Sequence, residues 1–286
     1  MRIRVGHKFR LSMPQPTPLI LMTAPEAARH ADFVAPETVS TNPDVAVHEY
    51  RDRYDNICRR FLAPAGEFTI TSDVTLEDHI GWDPVDPEAQ EVPVEDLPDE
   101  VLTFLAASRY VESDLLSTRA WELFGQIPPG WRRVQAVLDH GHEMLRFDYG
   151  TASAFRTAEH ASRGGNGVCR DFAHLSLAYL RGLNIPARYV NGYVGDIGVP
   201  PVDAPMDFAA WIEVWLSGRW WTFDPRNNDR RFARVVIARG HDAADVPMLS
   251  SFGPHELVEF KVWCHAVDAQ GNELPGMDFA PQPPKP

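Results

Sequence analysis

Cysteine is scarce in this chain: 286 residues carry three, Cys58, Cys169 and Cys264. An odd number with no C-x-x-C pair excludes a disulfide framework and a zinc cage, and it points to a reducing compartment. Long apolar runs are missing as well. The basic opening stretch leads only to the short run 19–22, preceded by Pro14, Pro16 and Pro18, which is too short for a secretory core. No segment approaches the roughly 20 apolar residues that a bilayer crossing requires. By elimination the expected location is the cytoplasm, with no membrane partner. Positive charge is in deficit too, since 27 Lys and Arg face 40 Asp and Glu, for a net charge of −13. Phosphates need a basic face, so nucleic acid is excluded as a partner. The acidic surplus is spread along the chain and reads as the charge that keeps a protein in solution.

What is present is enough apolar material for a packed core, 44% of residues, and a change of pattern along the chain. Residues 1–96 mix short apolar runs such as 68–70 with prolines and end in the acidic, proline-bearing stretch 82–100. This composition predicts short strands followed by a linker. Helical signals then begin: Pro98 and the acids Asp99 and Glu100 mark a helix start, and Val134, Val137, Leu138 and Leu145 share a face over 131–145. Past Pro186 the period shortens, and 187–194, 211–216, 219–223, 233–238 and 258–266 read as strands, with Ser217-Gly218 a two-residue turn between the second and third. Helices packed on sequential antiparallel strands make an α+β domain. The expected organisation is a β-rich region over 1–96, a core over 97–273 and a loose proline-rich tail over 274–286. No internal repeat is visible.

The clearest helix starts at Cys169, where Gly164-Gly165-Asn166-Gly167-Val168 gives way to Cys169, Phe172, Ala173, Ser176, Leu177, Leu180 and Leu183 at helical spacing. Unsatisfied N–H groups and the positive dipole end at such a position favour a thiolate, so Cys169 is expected to be a nucleophile with a lowered pKa. For an isolated cysteine the contrary reading, a small core residue, is the stronger of the two. Cys58 and Cys264 have no activating partner in the pattern and read as structural.

The ordered motifs decide between the two readings. The run Gly167-Val168-Cys169-Arg170-Asp171-Phe172-Ala173-His174-Leu175, then 184–190 with Gly192-Tyr193, then Ala210-Trp211-Ile212-Glu213-Val214, and finally Trp221-Thr222-Phe223-Asp224-Pro225 resemble the transglutaminase-like superfamily. The resemblance covers roughly 101–225, and the upstream part is similar to the β-rich N-terminal region of bacterial members. It implies a papain-like fold in which a thiol opens a central helix on an antiparallel sheet, with a histidine and an aspartate on neighbouring strands. It assigns the nucleophile to Cys169 and the histidine-orienting carboxylate to Asp224. The histidine should directly precede Ala210-Trp211, and that position holds Ala209.

That departure matters because imidazole both takes the thiol proton and hands one to the leaving amine. Losing such an acid–base group removes about 10² to 10⁴ in rate. A natural variant with a recruited base, a fold kept only for binding, and an engineered replacement of histidine all fit the sequence. His174 lies roughly 140° around the helix from Cys169 and about 7.5 Å along it, a poor approach to the thiol. His160 reads as a solvated residue that would have to fold back to serve. His140 and His142 flank Gly141 on a helix, where residues two apart do not face each other, so no metal site is expected. Asp171 is a candidate cleft residue whose structural alternative is a cap at the helix start; Trp211 is the tryptophan expected at the cleft wall; Arg188 and Arg226 are either ligands for a substrate carboxylate or surface ion pairs; Asp224 alternatively starts a turn.

The function expected from this is thiol acyl transfer on an amide or peptide bond of a peptide, protein or small amide, through a Cys169 thioester that water or an amine resolves. No metal or organic cofactor is needed for that chemistry. The alternatives are an impaired member that binds peptides or proteins in the same cleft, and a redox-sensing thiol. Nothing in the sequence sets the oligomeric state.

Overall fold

The structure, a computed structural model, describes residues 1–202 and 205–274. Six strands precede the helices: β1 (Arg2–Met13), β2 (Thr17–Leu21), β3 (Thr38–Asn42), β4 (His48–Arg51), β5 (Ile57–Ala63) and β6 (Gly66–Glu77). Next come α1 (Asp99–Leu102), α2 (Ser113–Phe124), α3 (Trp131–Met144), β7 (Leu145–Phe147), α4 (Ala158–Ala161), β8 (Gly165–Gly167) and α5 (Cys169–Gly182). The chain returns to strands with β9 (Ala187–Tyr193), β10 (Ala209–Leu216), β11 (Arg219–Phe223), β12 (Val235–Gly240), β13 (Leu249–Ser251) and β14 (Glu256–Val267).

The N-terminal strands are not uniformly short, as the composition had suggested: β1 and β6 each run 12 residues. Their sequences alternate, and Ile3, Val5, Phe9, Leu11 and Met13 of β1 and Phe68, Ile70, Val74 and Leu76 of β6 turn inward to the core. The two strands pair antiparallel along their whole length. β14 pairs along the other edge of β1, giving the order β14-β1-β6-β3. The stretch 256–267, expected in the core region, therefore lies in the same sheet as the first strand of the chain. Buried apolar residues of the first sheet and of the helical part form one continuous core. The expected loose tail falls almost wholly on 275–286, outside the described residues.

The sheet that carries the site has the order β11-β10-β9-β12, all antiparallel. Ser217 and Gly218, with φ of 49° and 79°, make the tight turn between β10 and β11, where both residues must be left-handed. α5 packs on one face of this sheet: Tyr189 of β9 meets His174 of α5 at 5.2 Å between ring centres, and its cross-strand partner Ile212 shares that face. α2, α3 and α4 cover the rest of α5, so every residue from Asp171 to Gly182 is buried. α2 was not anticipated. Its inward residues Leu116, Ala120 and Phe124 keep the spacing, but exposed Leu115, Trp121 and Leu123 blur it.

Candidate active site

Gly164 and Gly165, with φ of 81° and 101°, adopt backbone that a side chain would strain, and they turn the chain into β8 and then α5. Cys169 is the first residue of α5 and Val168 its N-cap. Asp171 closes this helix start, because its Oδ2 accepts the Val168 N–H at 2.8 Å. Asp171 is 1% exposed and does not line the cleft, so of its two sequence readings the structure realises the cap.

Cys169 is half-buried and opens on a cavity of about 90 Å³. The same cavity is lined by Ala209 at the start of β10 and by Asp224 just past the end of β11. Three separate elements thus bring Cys169, Ala209, at the position where the motif resemblance expects histidine, and Asp224 to the walls of one cavity. The chain belongs to the transglutaminase-like superfamily. Residues 122–225 match that superfamily, a span that includes all three positions. An uncharacterized protein of Mycobacterium leprae is 30% identical over 231 residues, 74% of this chain and 77% of that one. An uncharacterized protein of Mycobacterium tuberculosis is 40% identical over 94 residues, 29% of each chain. The crystal structure of "a Putative Cysteine Protease from Cytophaga hutchinsonii" superposes with a TM-score of 0.83 at 28% identity, covering 100% of this chain and 94% of that one. The α+β, papain-like core expected from the motifs is the observed fold of this superfamily member.

The electrostatics of the thiol run against expectation. Burial pushes Cys169 up to about 11, and the negative charge of Asp207 adds to the rise. Arg226 and backbone hydrogen bonding at Ala210 and Arg170 pull the other way without overcoming it. The helix start therefore does not lower the thiol by itself, because a partly enclosed sulfur without a neighbouring imidazolium pays more in desolvation than the peptide dipoles return.

Asp224 is also differently engaged than the family pattern implies. Its Oδ2 accepts from Arg234 at 2.7 Å and from Asn227 Nδ2 at 2.8 Å, and its Oδ1 accepts from the Asn227 N–H at 2.9 Å. Burial raises its pKa, but Arg234 and Asn227 outweigh that and hold the carboxyl below its ordinary range. Asp224 starts a turn as well, its carbonyl accepting the Asn228 N–H at 2.8 Å. Beyond that turn lies a second cavity of about 480 Å³, with Trp131, Leu138 and Phe223 among its walls and Asp224 in both.

Other sequence candidates are sorted by the same geometry. Trp211, expected at the cleft wall, is fully buried and does not line the cavity; Arg234 covers its ring at 4.9 Å. The reason is strand alternation, which turns Trp211 away from the α5 side where Ala210 and Ile212 point. Arg188 pairs with Glu213 and stacks on Trp220 at 4.1 Å, away from the cleft. Arg226 does line it, lying over Phe147 at 4.0 Å.

Among the described residues no histidine lines this cavity. His174 is buried, stacked on Tyr110 at 5.2 Å, and accepts the Ala243 N–H at 3.2 Å through Nε2. Burial drives its pKa well down, so it is a neutral acceptor. His160 is tied to Thr157 at 3.2 Å, and His140 sits against Phe124 and Tyr179. Among the described residues no group of three His, Cys, Asp or Glu is placed to hold a metal. Cys58 and Cys264 are buried and unpaired. Among the cleft residues that sequence reasoning missed are Asp207, in the segment before β10, and Tyr149, at the start of a single 3-10 turn, neither of which belongs to a periodic pattern.

Proposed function

We propose that this superfamily member is a thiol acyl-transfer enzyme that acts on an amide or peptide bond through a thioester on Cys169. The observation that carries the reading is the meeting of Cys169, Ala209 and Asp224 in one cavity, with the sulfur at the unpaired N–H end of α5. Sγ attacks the carbonyl carbon, the amine departs with a proton, and water or a second amine resolves the thioester. The Cys169 N–H is the natural first donor to the oxyanion. This chemistry is complete with protein groups alone. A cytoplasmic setting belongs to the same reading, supported by three unpaired cysteines; among the described residues no helix is long and apolar enough to cross a membrane.

Two observations favour a second reading, a protein that binds peptides in this cleft without turnover: the thiol is pushed up to about 11, and Asp224 is already satisfied by Arg234 and Asn227. Installing the missing imidazole separates the readings. Ala209→His is expected to raise turnover of a mixed panel of anilides and activated esters by at least about tenfold, lost again on Cys169→Ala. A variant that folds and shows no gain on any member of the panel contradicts a triad-type site.

A further inference from the structure

We propose that Asp207 carries the proton that histidine would carry in this cleft, accepting it from the Cys169 thiol and delivering it to the leaving amine. This inference rests on the acyl-transfer reading above and concerns the same site. Asp207 lies in the segment leading into β10, two positions before Ala209, and lines the cavity together with Cys169. The charged and titratable groups that face it are Cys169 from α5, Tyr149 after β7, Asp224 and Arg226 after β11, and the Asp196–Arg231 pair.

Elimination among these points to one residue. Burial raises the pKa of the Tyr149 phenol, which keeps its proton and is no acceptor. Asp224 is held by Arg234, and Asp196 is paired with Arg231 at 3.3 Å and accepts the Val202 N–H. Arg226 and Arg231 present only N–H donors and no acceptor, so neither can take the thiol proton. The Asp207 carboxylate accepts only the N–H of its neighbour Phe208, at 2.7 Å through Oδ1, and among the described residues no cation pairs with it. Oδ2 is left for exchange. Burial raises the Asp207 pKa, which is the direction a proton acceptor needs, and its charge is felt directly by the thiol.

The proton account closes without another reactant. Asp207 takes the Sγ proton as the S–C bond forms and gives it to nitrogen as the C–N bond breaks, leaving a thioester and a neutral amine. It then takes a proton from water as oxygen attacks the thioester and returns it to Sγ, leaving a carboxylic acid and the free enzyme.

The test compares wild type, Asp207→Asn, Asp207→Glu and Cys169→Ala on a p-nitroanilide and on a p-nitrophenyl ester of the same acyl group, with iodoacetamide labelling of Cys169 as a check on the cleft. The anilide leaving group needs a proton and the phenolate does not. Asp207→Asn should therefore lose about 100-fold or more in kcat/KM on the anilide and clearly less on the ester, together with the acidic limb of the pH profile. Asp207→Glu should recover part of the anilide rate. Labelling should fall far less than the anilide rate, because alkylation needs the thiol proton removed but no proton delivered to a leaving group. Equal losses on both substrates, an unchanged anilide rate, or labelling that falls in step with turnover would overturn the assignment to Asp207 while leaving Cys169 as nucleophile. Wild-type release no greater than that of Cys169→Ala would instead remove the acyl-transfer reading and this inference with it.

Discussion

Arg234 donates to Asp224 Oδ2 at 2.7 Å while its Nε reaches both oxygens of Asp83, at 2.9 and 2.8 Å. All three side chains are buried. A single guanidinium thus compensates two carboxylates that would otherwise be desolvated and unpaired, one of them the aspartate to which the motif resemblance assigns the orienting of a histidine. Arg234→Ala leaves both acids buried without their cation. It is expected to cost about 3–5 kcal/mol in urea unfolding. A loss below about 1 kcal/mol would show that the cluster is hydrated and that Asp224 is free to orient another group.

The same pairing sets a pH signature. Asp224 has a folded pKa below its ordinary value of 3.8, so its stabilisation is fully present above that value and is lost as pH falls through the folded pKa. Asp224→Asn should cost about 1.5–3 kcal/mol at pH 7, and the gap from wild type should narrow below about pH 4. Urea midpoints at pH 7, 5, 4 and 3 test the sign; a gap that widens with acid contradicts the assignment.

The thiol offers a direct readout of its surroundings. With Cys169 pushed up to about 11, its thiolate fraction at pH 7 falls about 100-fold or more below that of a free cysteine near 8.5. Iodoacetamide labelling followed by mass spectrometry should be correspondingly slow at pH 7 and still rising at pH 9.5. An inflection well below 8.5 would mean that the peptide dipoles win after all. In Ala209→His the inflection should move down, since an imidazolium beside the sulfur stabilises the thiolate.

Asp171 supports the site from below. Its carboxylate satisfies the Val168 N–H at the start of α5, so Asp171→Ala should lower stability by about 0.5–2 kcal/mol. Because the lost bond lies at the helix end bearing Cys169, amide exchange at Val168 should quicken more than exchange in the middle of α5. Uniform quickening along the helix would argue for global destabilisation only.

Much of the site was readable because it follows local rules. The glycine loop, the helical spacing from Cys169 to Leu183 and the Ser217-Gly218 turn each depend on residues close in sequence. β1 is just as legible in its alternation of Ile3, Val5, Phe9, Leu11 and Met13, although the basic residues between them also fit the opening of a targeting signal. α2 was obscured because exposed apolar residues interrupt its stripe.

By itself the sequence determined the family and marked three positions in short ordered motifs, a cysteine at a helix start, Ala209 at the start of a strand and an aspartate just after another. Only the tertiary structure decided what those residues experience. The burial that raises the thiol, the Arg234 cation that claims Asp224 and covers Trp211, and the cavity that Asp207 shares with Cys169 all depend on how separate elements pack together. Desolvation and Coulomb energies depend on distance in space, and no spacing rule along the chain encodes it.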